Sequence, residues 1–143
     1  IFGPGSLYTS ILATLVVPGV AEAVGAARGA RTFVCNLMTE PGETAGYGVT
    51  AHLEALEAHG LPRHALDYVV VNTKPISAEV QARYAGEGAE PVVADLAPPA
   101  GRPLVVLADV LDPGPVVRHA AEKLGPILCE LGAGHPEQGE NER

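Results

Sequence analysis

The run Asp67-Tyr68-Val69-Val70-Val71-Asn72 constrains this chain more than any other segment. Its apolar residues are continuous rather than alternating, and most are β-branched. Such a strand suits a parallel sheet covered on both faces by helices. The rest of the chain reads consistently around it. Arg31 to Leu37 is a second buried strand, Leu104 to Leu107 a third, and Val92 to Asp95 a short fourth. Ile1-Phe2 reads as the end of another strand. Between them lie segments of helical period at 6–16, 18–28, 49–59, 77–85 and 119–131, with Ser6 and Ser77 as N-caps and a kink expected at Gly125-Pro126. Strands alternating with helices imply an α/β fold with a largely parallel sheet flanked by helices. One domain is expected over residues 1–131, followed by a flexible acidic tail at 132–143.

The 47% hydrophobic content supports a packed core in a chain of 143 residues. Pro18, Gly19 and Glu22 interrupt the N-terminal apolar stretch, so no membrane span is expected. A formal charge of −8 and the absence of Trp argue against a nucleic-acid surface. Cys35 and Cys129 lie far apart, one in a strand and one on a helix. Buried free thiols are the expectation, which suits a reducing cytosol. The chain starts without Met and without a basic signal-type leader, so a fragment or processed form is expected.

Chemistry concentrates at the ends of the strands. Gly3-Pro4-Gly5-Ser6-Leu7-Tyr8-Thr9-Ser10 joins the first strand to a helix. One reading is a phosphate cradle, with free backbone N–H groups, glycines at φ > 0 and hydroxyls from Ser6, Thr9 and Ser10. The other is an ordinary strand-to-helix turn capped by Ser6. Asn36-Leu37-Met38-Thr39-Glu40-Pro41-Gly42-Glu43-Thr44 follows the next strand, where ligands bind in open α/β sheets. There Asn36 suits a base or sugar contact, and Glu43 a sugar hydroxyl, a metal-bound water or a helix N-terminus. The competing reading is a structural loop held by Asn36, with Thr44 or Thr50 capping the next helix. Asn72-Thr73 reads either as a further rim or as an Asx turn. Arg118 offers a fork for phosphate or pairs with a surface acid. His52 reads as structural. His52 and His59 share a helix face without a carboxylate at metal-binding spacing, so no zinc site is assigned. Nor does the chain contain G-x-S-x-G, a Walker A lysine or C-x-x-C.

Together these runs resemble a known family. Ile1 to Leu12, Val17 to Ala23, the Asn36-to-Thr44 loop, His52, Asp67 to Asn72, Tyr84 with Glu87-Gly88 and Pro91-Val92, and Arg118-His119 are similar to the bacterial gluconeogenesis-factor proteins. These are also called YvcK-like UDP-sugar-binding proteins and are relatives of 2-phospho-L-lactate transferase. The resemblance runs from residue 1 to about residue 131, and implies that this chain is a C-terminal portion of a Rossmann-like fold.

It further implies a cytoplasmic regulator that binds a UDP-sugar such as UDP-N-acetylglucosamine and links gluconeogenic carbon metabolism to cell-wall synthesis and cell shape. Gly3, Gly5, Ser6 and Thr9 would hold phosphate, Asn36, Glu43 and Asn72 would line the pocket, and Arg118 would offset charge. No catalytic residue, metal ligand or cofactor is assigned on this reading. The alternative is a phosphotransferase of the lactate-transferase type, with a nucleotide-activated substrate and a divalent metal. Expected partners are the nucleotide sugar and either an N-terminal half or another copy of the chain, giving a homo-oligomer. Two departures stand out. Ala13-Thr14 replaces the family's Pro-Asn, and Ala120-Ala121 replaces an Asp-Thr, which removes a hydroxyl and a carboxylate after Arg118-His119.

Overall fold

In a computed structural model that describes residues 1–96 and 101–134, the Val-rich run forms the central strand of a three-stranded parallel sheet. The strands are β1 (Thr32–Val34), β2 (Tyr68–Asn72) and β3 (Leu104–Ala108), in spatial order β1-β2-β3. Phe33 lies opposite Val69, and Val69 opposite Val105. Phe2 bridges to Phe33 in parallel, giving its carbonyl to the Val34 N–H at 3.0 Å, so the chain start behaves as strand.

Side chains alternate across the sheet, and each face has its own cover. Phe33, Cys35, Val69 and Val71 pack under the segment Leu7–Leu12, α1 (Ala13–Leu15) and α3 (Val49–Ala58). Val34 and Val70 face the other way, onto α5 (Ala121–Ala133). The helices show matching stripes. Val49, Leu53 and Leu56 are buried along α3, and Leu124, Ile127, Leu128 and Leu131 form one face of α5 at three- and four-residue spacing. Truncating fully buried Phe33 to Ala would cost roughly 3–5 kcal/mol.

The start of β2 is pinned by charge. Asp67, 2% exposed, accepts from the Arg31 backbone N–H and from Nε and Nη2 of its guanidinium at 2.9 to 3.0 Å, and also pairs with Arg102. This clamp fixes β1 and β2 at the end of the sheet away from the ligand-side loops.

Several elements depart from the sequence expectation. Residues 6–16 open as a π-helical turn, Leu7–Leu12, because both Ser10 and Ile11 N–H groups donate to the Ser6 carbonyl. Ser6 caps through that carbonyl and not through its hydroxyl. The second helix shortens to α2 (Val20–Gly25), entered through Gly19 at φ +86°. α4 (Ala78–Ala85) starts where expected, with the Ser77 hydroxyl accepting from the Val80 N–H at 3.3 Å. Val92 to Asp95 is not a strand. Pro91 makes a lone antiparallel bridge to Met38, and a proline, lacking an N–H, cannot extend a ladder there. α5 runs without a break across Pro126 and continues to Ala133, two residues into the expected tail, whose residues 135–143 lie outside those described.

Among the described residues no helix is long and apolar enough to cross a membrane.

Candidate functional site

The loops beyond the carboxyl ends of β1 and β2 enclose two cavities, the position expected for ligands of an open α/β sheet. The first is about 300 Å³ and the second about 460 Å³, and Asn36 and Leu37 line both.

The Gly3-to-Ser10 run forms one wall of the first cavity through Pro4 and Gly5. Because the helical bonding begins with Ser10, the backbone N–H groups from Gly5 to Thr9 donate to no described residue. A row of free N–H groups at the head of a helical turn is what an anion needs. The glycines work differently from expectation. Neither Gly3 nor Gly5 has positive φ, and a Cβ on Gly5 would meet only Ser10 Cβ at 3.9 Å. They leave space rather than supply a left-handed turn.

The second wall is the 36–44 loop, and threonines hold it. The Thr39 hydroxyl accepts from the Glu90 N–H at 2.9 Å, and the Thr44 hydroxyl from the Glu40 N–H at 2.8 Å. Both threonines are buried. Pro41 and Gly42, at φ +80°, close a turn in which Glu43 N–H donates to Glu40 C=O at 3.1 Å, the bonding of a type II turn. The Asn36 amide makes no hydrogen bond to a described residue, so it does not hold the loop. Neither Thr44 nor Thr50 caps α3; Asp95 does, accepting from the Thr50 N–H at 2.8 Å.

The third wall carries Arg118 and His119 and leans on α4. Tyr84 Oη accepts from the Val117 N–H at 3.1 Å, and the Arg83 guanidinium lies over the Tyr84 ring while donating to the Pro115 carbonyl. Arg118 pairs through Nε with Asp112 at 3.0 Å, yet its side chain is 70% exposed, which leaves its remaining donors available. His119 Nε2 lies 3.2 Å from the Cys35 carbonyl, tying this segment to the end of β1. Burial pushes the His119 pKa down, against the opposing pull of that carbonyl. The imidazole is therefore neutral, donating from Nε2 and keeping Nδ1 as an acceptor.

Of the residues picked from sequence, Gly5, Asn36 and Arg118 meet at the first cavity, and Asn36 and Asn72 at the second. Gly3, Ser6, Thr9 and Glu43 line neither. Glu43 is half-buried, with Oε2 enclosed and without a partner. The Asn72 amide is taken up by an Asx turn, donating to Lys74 C=O at 2.7 Å and accepting from Lys74 N–H at 3.2 Å, and it also accepts from Val110 N–H. His52 is structural: its Nδ1 bonds the Gly48 carbonyl at 2.8 Å, inside a cluster with Phe33 and Tyr47. The structure adds Glu40, Glu87, Tyr84 and His119 to the first cavity. Glu40 lies in the 36–44 loop, and Tyr84, Glu87 and His119 lie in runs that carry the family resemblance, yet sequence alone assigns none of the four to the ligand.

A family model described as 2-phospho-L-lactate transferase CofD matches residues 1–109. The gluconeogenesis factor of Halalkalibacterium halodurans is 39% identical over 135 residues, 91% of this chain and 41% of that protein. The gluconeogenesis factor of Bacillus subtilis is 38% identical over 133 residues, 92% of this chain and 42% of that protein. A crystal structure of a UPF0052 family member from Bacillus halodurans superposes with a TM-score of 0.82 at 38% identity, covering 90% of this chain and 41% of that one. The chain thus spans about two fifths of the length of these relatives.

Proposed function

The chain belongs to the 2-phospho-L-lactate transferase CofD family, and from that premise we propose that it binds a nucleotide sugar of the UDP-N-acetylglucosamine type and works as a gluconeogenesis factor. In this reading it is a cytoplasmic regulator that links gluconeogenic carbon flow to cell-wall synthesis and cell shape. The observation that carries the reading is the meeting of Gly5, whose backbone N–H is free, the unspent Asn36 side-chain amide and the exposed Arg118 fork on one cavity. Donors of that kind suit a diphosphate. The Glu40 and Glu87 carboxylates on the same cavity are acceptors for sugar hydroxyls. Two free thiols, Cys35 and Cys129, accord with a reducing compartment. Calorimetric titration of UDP-N-acetylglucosamine tests the reading. Saturable binding that Arg118→Glu weakens is the expected result; no heat at millimolar ligand, or indifference to that substitution, would overturn it.

The family description favours a second reading, phosphotransfer with a divalent metal. Among the described residues no three His, Cys, Asp or Glu side chains stand together as a metal-ligand set. Metal-dependent turnover of a nucleotide-activated substrate would put this reading first.

A further inference from the structure

Two walls of the first cavity are joined by a pair of tyrosines that line neither cavity. Tyr8 stands on the π-helical turn that follows Gly5. Tyr47 stands three residues after Thr44, whose hydroxyl holds the Glu40 N–H. Their own hydroxyls meet at 2.9 Å. Tyr47 is a fixed post. Its N–H donates to the Thr44 carbonyl at 3.0 Å, and the preceding N–H, of Gly46, donates to the Glu90 carboxylate at 3.0 Å. His52 on α3 and His59 at its C-cap supply a shelf for the two phenol rings. Tyr47 packs edgewise on His52 at 5.8 Å between ring centroids, and Tyr8 on His59 at 5.9 Å. Each imidazole is itself pinned, with Nδ1 donating to the carbonyl four residues earlier, Gly48 at 2.8 Å and Ala55 at 2.7 Å.

The turn gains from such a tie. Core packing grips its inner face through Leu7, Ile11 and Leu12, whereas Thr9 and Ser10 are exposed and Gly5 is half-buried. Its first bonds are long, since the Ser10 and Ile11 N–H groups share the Ser6 carbonyl at 3.2 Å each. A hydrogen bond between two half-buried hydroxyls adds what apolar packing lacks, a set distance and direction. Resting on the nucleotide-sugar reading, we infer that the Tyr8–Tyr47 pair is a positioning device for that site. It sets Gly5, at the head of the turn, against the stretch from Asn36 to Glu40 on the same cavity, so that a diphosphate meets both walls already in place. Both tyrosines act through the backbone that they hold.

Tyr8→Phe, Tyr47→Phe and the double variant test this, because phenylalanine keeps each ring on its histidine and removes the oxygen alone. UDP-N-acetylglucosamine and uridine are titrated into the wild type and all three variants, with melting temperature as the control for folding. Each single variant should weaken UDP-N-acetylglucosamine by about fivefold, and the double variant no further, because one bond is lost in all three. Uridine, which lacks the diphosphate, should behave alike in all four proteins. In ligand-free protein, Tyr47→Phe should speed amide exchange at Ser10 and Ile11, 37 and 36 positions away in sequence, while β2 keeps its protection. Unchanged exchange there would overturn the inference whatever the ligand does. Unchanged affinity for UDP-N-acetylglucosamine, or equal weakening of uridine, would overturn it and leave the nucleotide-sugar reading intact. Failure of the wild type to bind UDP-N-acetylglucosamine would remove that reading and the inference with it.

Discussion

The carboxylate of Asp95 occupies the space where a side chain on Gly48 would begin: a Cβ built on Gly48 would sit 2.7 Å from Asp95 Oδ1. Gly48 is the N-cap of α3 and has no side chain to offer the helix, so Asp95 supplies the missing acceptor from 45 residues away, to the Thr50 N–H. The Gly48 backbone has negative φ, −88°, so glycine is required here by close approach and not by conformation.

Gly48→Ala should therefore act as a capping mutation. Displacing the carboxylate from the positive end of α3 is expected to cost about 1–2 kcal/mol. Asp95→Ala should cost a similar amount, and the double substitution less than the sum, because both remove one interaction. Urea denaturation of the three variants measures this; full additivity would show that the two residues are independent.

Acid should weaken the fold in two stages. Burial pushes the His52 and His119 pKa values below the usual histidine range, and for His52 this outweighs the Gly48 carbonyl and the Asp95 and Glu40 charges that pull the other way. The unfolded chain then binds more protons, so stability is complete above about pH 6.5 and declines as pH falls toward the folded values. At Asp95 burial raises the pKa, but hydrogen bonds from Thr50 outweigh it and hold the carboxyl below its ordinary value. That contribution is present at neutral pH and is lost only as pH falls below about 4. Denaturation midpoints from pH 7.5 to 5.5 should decline, and His119→Gln should flatten part of the slope. A level profile in wild type would contradict the histidine assignment.

The strand Tyr68–Asn72 and the cap at Ser77 were legible because local pattern and final environment agree: an apolar run lies between two covered faces, and a Ser directly precedes its helix. The Asp95 cap was not legible, since nothing near Gly48 signals a partner so distant in sequence. Val92 to Asp95 misled for the converse reason. Its β-branched residues resemble a strand, but their backbone groups are divided between Leu37 and Val49 on two different segments, at 3.0 Å each. The ligand side was half legible. The strand end pointed to Asn36 and the segment before the last helix to Arg118, whereas Glu43 lines neither cavity and Glu40, just before the turn, lines the first.

The two thiols should differ sharply in reactivity. Cys35 is 2% exposed beneath the helices, and burial pushes its thiol up to about 12, so almost no thiolate forms at neutral pH. Cys129 is exposed on α5. An aromatic disulfide reagent should titrate one thiol quickly in native protein and the second only after denaturant is added. Two equally fast thiols would mean that the sheet opens readily around Cys35.

Tyr84→Phe should loosen the Arg118 segment while sparing the core. The substitution keeps the ring under Arg83 but leaves the Val117 N–H without its acceptor, a loss of about 1 kcal/mol at a partly exposed site. Amide exchange at residues 115–119 should accelerate, with α3 and β2 unchanged. Uniform acceleration across the chain would point instead to a global role for Tyr84.

The outer edge of β3 presents large apolar side chains to water. β3 pairs only with β2 among the described residues, and Leu104 and Leu107 on it are 55% and 62% exposed. An unpaired edge bearing large apolar side chains invites another strand, and a charge on such an edge suppresses that pairing. The chain should therefore self-associate in a concentration-dependent way, and Leu107→Lys should shift it toward monomer without lowering its melting temperature. Light scattering on wild type and variant decides the matter: a monodisperse wild-type monomer across the accessible concentration range would show that this edge tolerates solvent by itself.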